Sequence, residues 1–463
     1  MNPLRVVRAE SMPDDTPAVP VVIVGAGACG LTAATRLADA GIACVLLERD
    51  AVPSGSTALS SGFIPAAGTR VQRALGIEDT RQTFAEDIQA KAHGDAAPHL
   101  VAAYSEAVVQ AIDALEEKHG LQFEVLDGFL YPGHRVRRMH AVAERTGAAL
   151  MAQLERAAST AGADILTQAL VRELWVDAAE RIVGVGYERP DGHLEYLACE
   201  ALVLACNGYG GNAAMVRELL PAMAEAIFAG HVGNDGSALA WGRQLGARAA
   251  DLGGYQGHGS WAVPQGALMS WAVMMEGGVQ INADGARFHD ETLGYSEAAV
   301  HVLGQPGGVA WNVFDGPLLA MVRGFPDFVD AEKAGALKSA TDEAALARTI
   351  GCAEDALRAT LARVAPGQPD GFGRSFKRAL QAPFYAVKVT GALFHTQGGL
   401  DIDADCRVLR QDGKPLPNLL AAGGAARGVS GNAVWGYLSG NGLLSAVGGG
   451  WIAAGTVAAD LAP

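Results

Sequence analysis

Four consecutive apolar β-branched residues, Val21 to Val24, run straight into Gly25-Ala26-Gly27-Ala28-Cys29-Gly30. A helical apolar period continues through Leu37, a turn falls at Gly41, and a second apolar run, Ala43 to Leu47, ends on Glu48. Strand, glycine turn, helix and strand in that order form a βαβ unit of the dinucleotide-binding kind. Gly25 permits the tight turn, and Gly27, with Ala28 beside it, lets backbone approach a pyrophosphate. Gly30 lets the helix lie close on the strand. The helix N-terminus offers unpaired N–H groups to the phosphates. Glu48, followed by Arg49, stands where an acid meets a ribose hydroxyl. That favours FAD or NAD over NADP.

Beyond Glu48, Gly55, Ser56, Thr57, Ser60, Ser61 and Gly62 form a small-residue loop able to approach a phosphate or a flavin ring. Helical periodicity dominates from Thr80 to Lys118 and from Met139 to Ala161. Asp164 to Leu170 and Val171 to Tyr187 read as strands, with Val171 a cofactor candidate. The run Ala201 to Ala205 reads as a short buried parallel strand. It stops on Cys206-Asn207-Gly208-Tyr209-Gly210-Gly211-Asn212, and strand ends of this kind are where open α/β sheets bind ligands. Ala205, Gly208 and Asn212 are the candidates there. From Gly242 to Ala382 strands are less evident, aromatics and methionines recur, and helices fall between Asp330 and Val364. The last eighty residues return to glycine-rich character, with a strand ending on Gly423-Gly424 and a helical stretch from Asn441 to Leu461. Thr396, Gly423, Gly424, Asn441 and Leu443 join the cofactor candidates. The expected fold is α/β. A discontinuous Rossmann-like FAD-binding domain (residues 19–241 and 383–463) carries an inserted α+β cap or substrate domain (242–382), and residues 1–18 form a flexible tail.

Composition narrows the class. Half of the 463 residues are apolar and 18% are charged, so the chain builds a large core. Thirty-five basic against fifty acidic residues give a formal charge of −15, which argues against a nucleic-acid or anionic membrane surface. The six cysteines form no CxxC pair and read as buried apolar residues in a reducing compartment, so a cytoplasmic location is expected, without metal or disulfide. The N-terminal stretch lacks the apolar core of a signal peptide. The C-terminal helix, expected to break at Gly448-Gly449-Gly450, reads as a buried helix and not a membrane span.

Six segments in order carry a resemblance. They are VVIVGAGACG with Glu48, GSTALSSGFIPAAGT, ALVLACNGYGGN, GGVQINADGARFHDE, FHTQGGLDID and NLLAAGGAARGVSGN. From Val21 onward the chain resembles the FAD-dependent oxidoreductases that include fumarate reductase flavoproteins and 3-ketosteroid dehydrogenases. The resemblance implies FAD, with Gly25, Gly27 and Gly30 at the pyrophosphate, Glu48 at the adenosine ribose, and Ser56, Thr57, Ser61 and Gly62 on the flavin side. No histidine lies between Glu48 and Asp87 to carry a covalent flavin, so noncovalent FAD is expected. In the family an acid after the C-terminal AAG bonds the ribityl chain, and here that position is Gly424.

Departures in the substrate site are more informative. Tyr295 stands where the family's proton-delivering arginine would be, Trp271 replaces the acid of its relay, and Trp435-Gly436-Tyr437-Leu438-Ser439-Gly440-Asn441 replaces the NRLGGN motif with its arginine. His258 in YQGHGS and His395 in FHTQGG match motif histidines of QxHPT and HHTMGG. A buried dicarboxylate without guanidinium partners would cost several kcal/mol per unpaired charge. Trp271, Met274, Met275, Phe394 and Trp435 favour a neutral, apolar substrate instead. The expected reaction is α,β-dehydrogenation of a neutral, cyclic ketone, as in the ketosteroid dehydrogenases, or the reverse enone reduction. Hydride is then exchanged with flavin N5. Tyr295 exchanges the proton, Tyr437 polarises the carbonyl, and His258 and His395 orient substrate or tyrosine, with Tyr255 and Tyr385 in reserve.

Two alternatives stand beside that reading. One is a fumarate-reductase-like reductase of an unsaturated carboxylic or oxo-acid, its carboxylate held by Arg427, Arg287 or Lys388. The other is a flavin electron carrier with no organic substrate. With no iron–sulfur or haem spacing in the chain, a separate electron donor or acceptor is expected.

Overall fold

The computed structural model describes residues 3–126, 128, 130–368 and 370–462. It divides into two compact units. The first comprises residues 1–219, 230–255 and 395–463, and the second residues 220–229 and 256–394. The divisions thus fall at 255/256 and 394/395, about a dozen residues beyond the expected 241/242 and 382/383, and residues 220–229 join the second unit.

The first unit is built on a nine-stranded sheet. Its elements begin with β1 (Arg5–Arg8), β2 (Ala18–Val24), α1 (Ala28–Asp39), β3 (Cys44–Leu47), α2 (Pro98–His119) and α3 (Gly147–Ala161). They continue with β4 (Asp164–Leu166), β5 (Leu170–Val176), β6 (Ile182–Glu188), β7 (Leu194–Leu204), β8 (Pro415–Ala421) and α4 (Asn441–Asp460). The strand order is β1-β5-β6-β7-β2-β3-β4, with β8 on β7 and a ninth short strand, Arg407–Leu409, on β8. Around β2 every neighbour is parallel. Val21 to Val24 register with Cys44 to Leu47 on one side and with Ala201 to Leu204 on the other. Leu202 to Leu204 register in turn with Leu419 to Ala421. The three apolar runs that end on glycines therefore lie side by side. Their glycine-rich ends gather at one sheet edge, as parallel registration requires.

Several expectations change. Arg5–Arg8, placed in a flexible tail by the sequence reading, is an edge strand parallel to β5, with Arg5 Nε donating to Glu173 Oε1 at 2.8 Å. Only Met1 and Asn2 of that tail lie outside the described residues. The helical stretch 80–118 is two helices, Arg81–Lys91 and α2, interrupted before Pro98. Met139–Ala141 is a strand, and α3 begins only after Thr146, whose hydroxyl caps it by accepting from Ala149 N–H. α4 continues unbroken through Gly448-Gly449-Gly450. It is long and apolar enough to cross a membrane, but 61% of its most apolar window is buried inside the fold. It packs on α1 and α2, and at Gly450 a Cβ would run into the carbonyl of Cys29. Glycine there serves helix–helix approach and outweighs its cost in helix propensity.

The second unit holds a seven-stranded sheet, where the sequence reading found strands scarce. Its central strand, Phe384–Thr396, pairs antiparallel with Val309–Asp315 and Leu337–Ala340, and parallel with Ile227–Phe228. Side chains alternate between two cores. Ala310 and Phe314 pack with Trp271, Met274, Val302 and Phe328 on one face. Val313 packs with Ile281, Leu346 and Leu357 on the other. Buried polar residues interrupt the alternation at Ser260, Gln280 and Asn312, each fully buried, and this hid the strands from a pattern reading.

Candidate active site

In the first unit the glycine turn shows why each glycine is needed. Gly25 has φ +102°, and a Cβ there would lie 2.7 Å from the carbonyl oxygen of Ala205, just past the end of β7. A Cβ at Gly30 would run into the carbonyl of Gly25. α1 starts at Ala28 without a side-chain cap, while Thr57 Oγ1 accepts from Ala28 N–H at 3.3 Å. The helix end thus keeps donors aimed outward for an anion. Glu48 is buried. One carboxylate oxygen accepts from Ala26 N–H and the other from Asp50 N–H, both at 2.9 Å, so the acid is held rigidly against the turn. Arg49 lies 3.6 Å from Asp235.

Gly55, Ser56 and Thr57 sit in a short helical turn, Gly55–Ala58. Gly62 packs against Thr146, and Ser61 precedes it in the same loop. Gly208 packs against Thr396, whose Oγ1 accepts from Tyr209 N–H at 3.3 Å. Gly423 and Gly424 form the turn that leaves β8, Val171 lies on β5, and Asn441 and Leu443 are in the first turn of α4. The cofactor candidates therefore converge on this unit, and the shape and donor set fit FAD. Asn212 has a structural duty. Its amide donates to Asp235 O at 2.9 Å and accepts from Met215 N–H at 3.2 Å.

His395 lies over the start of α4, where a Cβ on Gly442 would come within 2.9 Å of its Nε2. Its ring meets that of Tyr437 edge-on, with centroids 5.6 Å apart. A chain of donors pins the imidazole. Asn441 Nδ2 donates to Ser430 Oγ at 3.0 Å, Ser430 Oγ donates to Gln397 Oε1 at 2.8 Å, and Gln397 Nε2 donates to His395 Nδ1 at 3.1 Å. Nδ1 also faces Thr396 O at 3.4 Å; the Gln397 amide, closer at 3.1 Å, makes Nδ1 the acceptor and leaves the ring proton on Nε2. Burial lowers the pKa of His395 to about 4, so it is neutral at physiological pH. The sequence reading missed this relay, although Gln397 stands where the HHTMGG motif has Met.

Arg427 does not offer a free cation. Its Nε and Nη2 donate to Asp251 at 2.6 and 3.2 Å, and Nη1 reaches Asp401 at 3.4 Å. Trp435 is 45% exposed and stacks on His93 at 5.7 Å. It is a surface aromatic, not the apolar wall expected of it.

In the second unit His258 is the centre of an aromatic cluster. Tyr295 and Phe394 stack on it at 5.0 and 5.7 Å, and Trp271 meets it edge-on at 5.7 Å. His258 Nδ1 accepts from Ser260 N–H at 3.1 Å, leaving the proton on Nε2. Burial lowers its pKa to about 3. Tyr295 opens the helix Tyr295–Leu303, which is anchored where Gly257 N–H donates to Ser296 Oγ at 2.9 Å. Trp271 Nε1 donates to Glu291 O at 3.2 Å. Met274 is fully buried core. Tyr385 stacks on Phe314 at 6.1 Å, and Tyr255 of the first unit is buried.

Glu291 gathers the nearby cations. Its carboxylate accepts from Arg287 at 3.0 and 2.6 Å, from Arg374 at 2.7 Å and from Gln280 N–H at 2.9 Å, while Arg287 also donates to Asp370 at 3.1 Å. Burial pushes the carboxyl pKa up, but the two guanidiniums prevail and hold it below its ordinary value. Neither arginine is an available carboxylate clamp, and Lys388 is exposed on its strand. Among the described residues no cluster of His, Cys, Asp and Glu is arranged to hold a metal ion.

The chain matches the FAD binding domain family over residues 20–443. It is similar to a probable fumarate reductase of Shewanella frigidimarina, 29% identical, covering 92% of this chain and 72% of that protein. Among solved structures, the open conformation of a flavocytochrome c3 fumarate reductase aligns with a TM-score of 0.82 at 28% identity, over 96% of this chain and 79% of that one. The 3-ketosteroid-Δ4-(5α)-dehydrogenase of Rhodococcus jostii aligns at 0.76 and 22% identity, over 99% and 100%, a likeness of fold alone.

Proposed function

We propose a function from one premise: this chain belongs to the FAD binding domain family and is an FAD-dependent oxidoreductase acting on CH–CH bonds. Its reaction in our reading is fumarate-reductase-like, the reduction of a carbon–carbon double bond conjugated to the carbonyl of an unsaturated carboxylic or oxo-acid. The observation that carries it is the likeness to fumarate reductases across more than nine-tenths of the chain, with the motif histidines His258 and His395 retained. The glycine turn, Glu48 and the start of α4 would hold FAD, which would supply hydride exchange when bound.

The chain's own groups supply the rest. His258, neutral in the second unit, backs Tyr295 by stacking; in the first unit His395, neutral, donates to the carbonyl or carboxyl oxygen and steadies the charge that builds there. Tyr437 contributes a further donor. Tyr295 exchanges the proton at the α carbon. A tyrosine, with an ordinary pKa near ~10, needs no help as an acid toward a forming carbanion, whereas as a base it needs an enolising substrate. The electron donor or acceptor is a separate molecule.

A second reading, dehydrogenation of a neutral, cyclic ketone or the reverse enone reduction, is favoured by one observation. Arg427, Arg287 and Arg374 are already committed to Asp251, Asp370 and Glu291, so a carboxylate finds none of them free. Anaerobic mixing of holoprotein with cyclic ketones, enones, fumarate and oxo-acids separates the two. Reoxidation of prereduced flavin by an unsaturated acid, with saturated ketones inert, upholds the first reading. Bleaching of oxidised flavin by a saturated ketone overturns it in favour of the second.

A further inference from the structure

Asn207, just before Gly208 in the turn that follows β7, has a left-handed backbone with φ +69°. Among residues with a side chain, asparagine is one of the few that tolerate this conformation. Its amide is fully oriented. Nδ2 donates to Ser56 Oγ at 3.0 Å, and Oδ1 accepts from Gly208 N–H at 2.9 Å. Ser56 Oγ also accepts from Nδ2 of the fully buried Asn234, again at 3.0 Å. With both acceptor sites of Ser56 engaged, its one proton points away from the two asparagines.

Asn207 Oδ1 lies where a side chain on Gly424 would begin, since a Cβ built there collides with that oxygen. A side chain at 424 would have to push the Asn207 amide off its hydrogen bonds to Ser56 and Gly208. An amide oxygen has two lone pairs, and Gly208 N–H takes one of them. The other remains at the place where an acid on residue 424 would have begun to offer a carboxylate acceptor.

We propose that Asn207 is the cofactor-binding residue that replaces an acid at position 424, a neutral acceptor for the hydroxyls of the ribityl chain, with Ser56 held beside it as an oriented donor. This rests on FAD binding alone and not on the acceptor proposed above. The glycine at 424 is then the consequence of asparagine at 207, and the two positions are energetically coupled.

The test is a double-mutant cycle read by FAD titration of the apoprotein, following flavin fluorescence, with thermal melting of each apoprotein as the check on folding. N207G binds FAD about three- to tenfold more weakly, the worth of one neutral hydrogen bond. Its apoprotein stays folded and melts within a few degrees of the parent, because glycine suits φ +69°. G424E alone weakens binding by more than about tenfold, and N207G/G424E recovers to within a few-fold of the parent. Parental affinity in N207G overturns the proposal, as does a double variant no better than G424E. Should G424E not fold, N207G decides alone.

Discussion

His258 and Tyr295 lie face to face, ring centroids 5.0 Å apart and planes 17° from parallel. The imidazole is fixed by the N–H of Ser260, two residues along the same strand. Ring stacking positions the tyrosine, so the hydroxyl can be removed without removing the ring. Tyr295→Phe keeps the ring stacked on His258 and the FAD content within error. The flavin half-reaction with the best substrate falls by about 10²-fold or more, the usual worth of a positioned proton donor. Stopped-flow absorbance of the flavin measures this, and an unchanged rate removes Tyr295 from the mechanism.

Gln397 orients His395 through its amide at Nδ1. Gln397→Met, which restores the residue of the HHTMGG motif, releases Nδ1 and lets the ring proton exchange between nitrogens. Turnover drops roughly fivefold, in keeping with one neutral hydrogen bond. ¹⁵N chemical shifts of the His395 ring move from a single Nε2–H tautomer toward a mixture. A ring that stays wholly Nε2–H assigns its orientation to something other than Gln397.

Glu291 is fully buried between Arg287 and Arg374. Glu291→Gln leaves two buried guanidiniums short of a carboxylate and destabilises the protein by about 3–5 kcal/mol. Urea unfolding at neutral pH reads the loss. A change under about 1 kcal/mol would mean that solvent or Asp370 compensates the pair.

Burial lowers the pKa of His258 to about 3, and of His134, His140 and His395 to about 4, from 6.5. Between pH 6.5 and those values the unfolded chain takes up protons that the folded chain refuses. The stability held above pH 6.5 is therefore lost progressively as pH falls toward 3. The urea midpoint drops between pH 7.5 and 4.5, and the drop is smaller in His258→Phe, which keeps a ring in the stack. An equal drop in both proteins removes His258 from the acid response.

The parallel strands that end on glycines were legible from sequence because each is a continuous apolar run stopped by glycine, a pattern that needs no partner to be recognised. The second sheet was not. Buried Ser260, Gln280 and Asn312 bond to one another, with Gln280 Nε2 donating to Asn312 Oδ1 and Asn312 Nδ2 to Ser260 Oγ, each at 2.8 Å. A polar residue satisfied by a partner fifty positions away reads locally as surface. Arg427 misled in the opposite sense. Lying just past a glycine-rich strand end, it looked available, but Asp251, 176 residues earlier, already holds it.

From the order of residues alone, the nature of the cofactor and the elements that cradle it could be derived, because strand, glycine turn and helix are local and their chemistry is backbone chemistry. Tertiary structure decided which side chains are spent and which remain. It bound Arg427, Arg287 and Arg374 to carboxylates, put His395 at the end of a donor relay, stacked Tyr295 on His258, and filled the space over Gly424 with Asn207. Charge and hydrogen-bonding capacity are satisfied by whichever groups the fold brings within about 3 Å, and spacing along the chain does not reveal that neighbourhood.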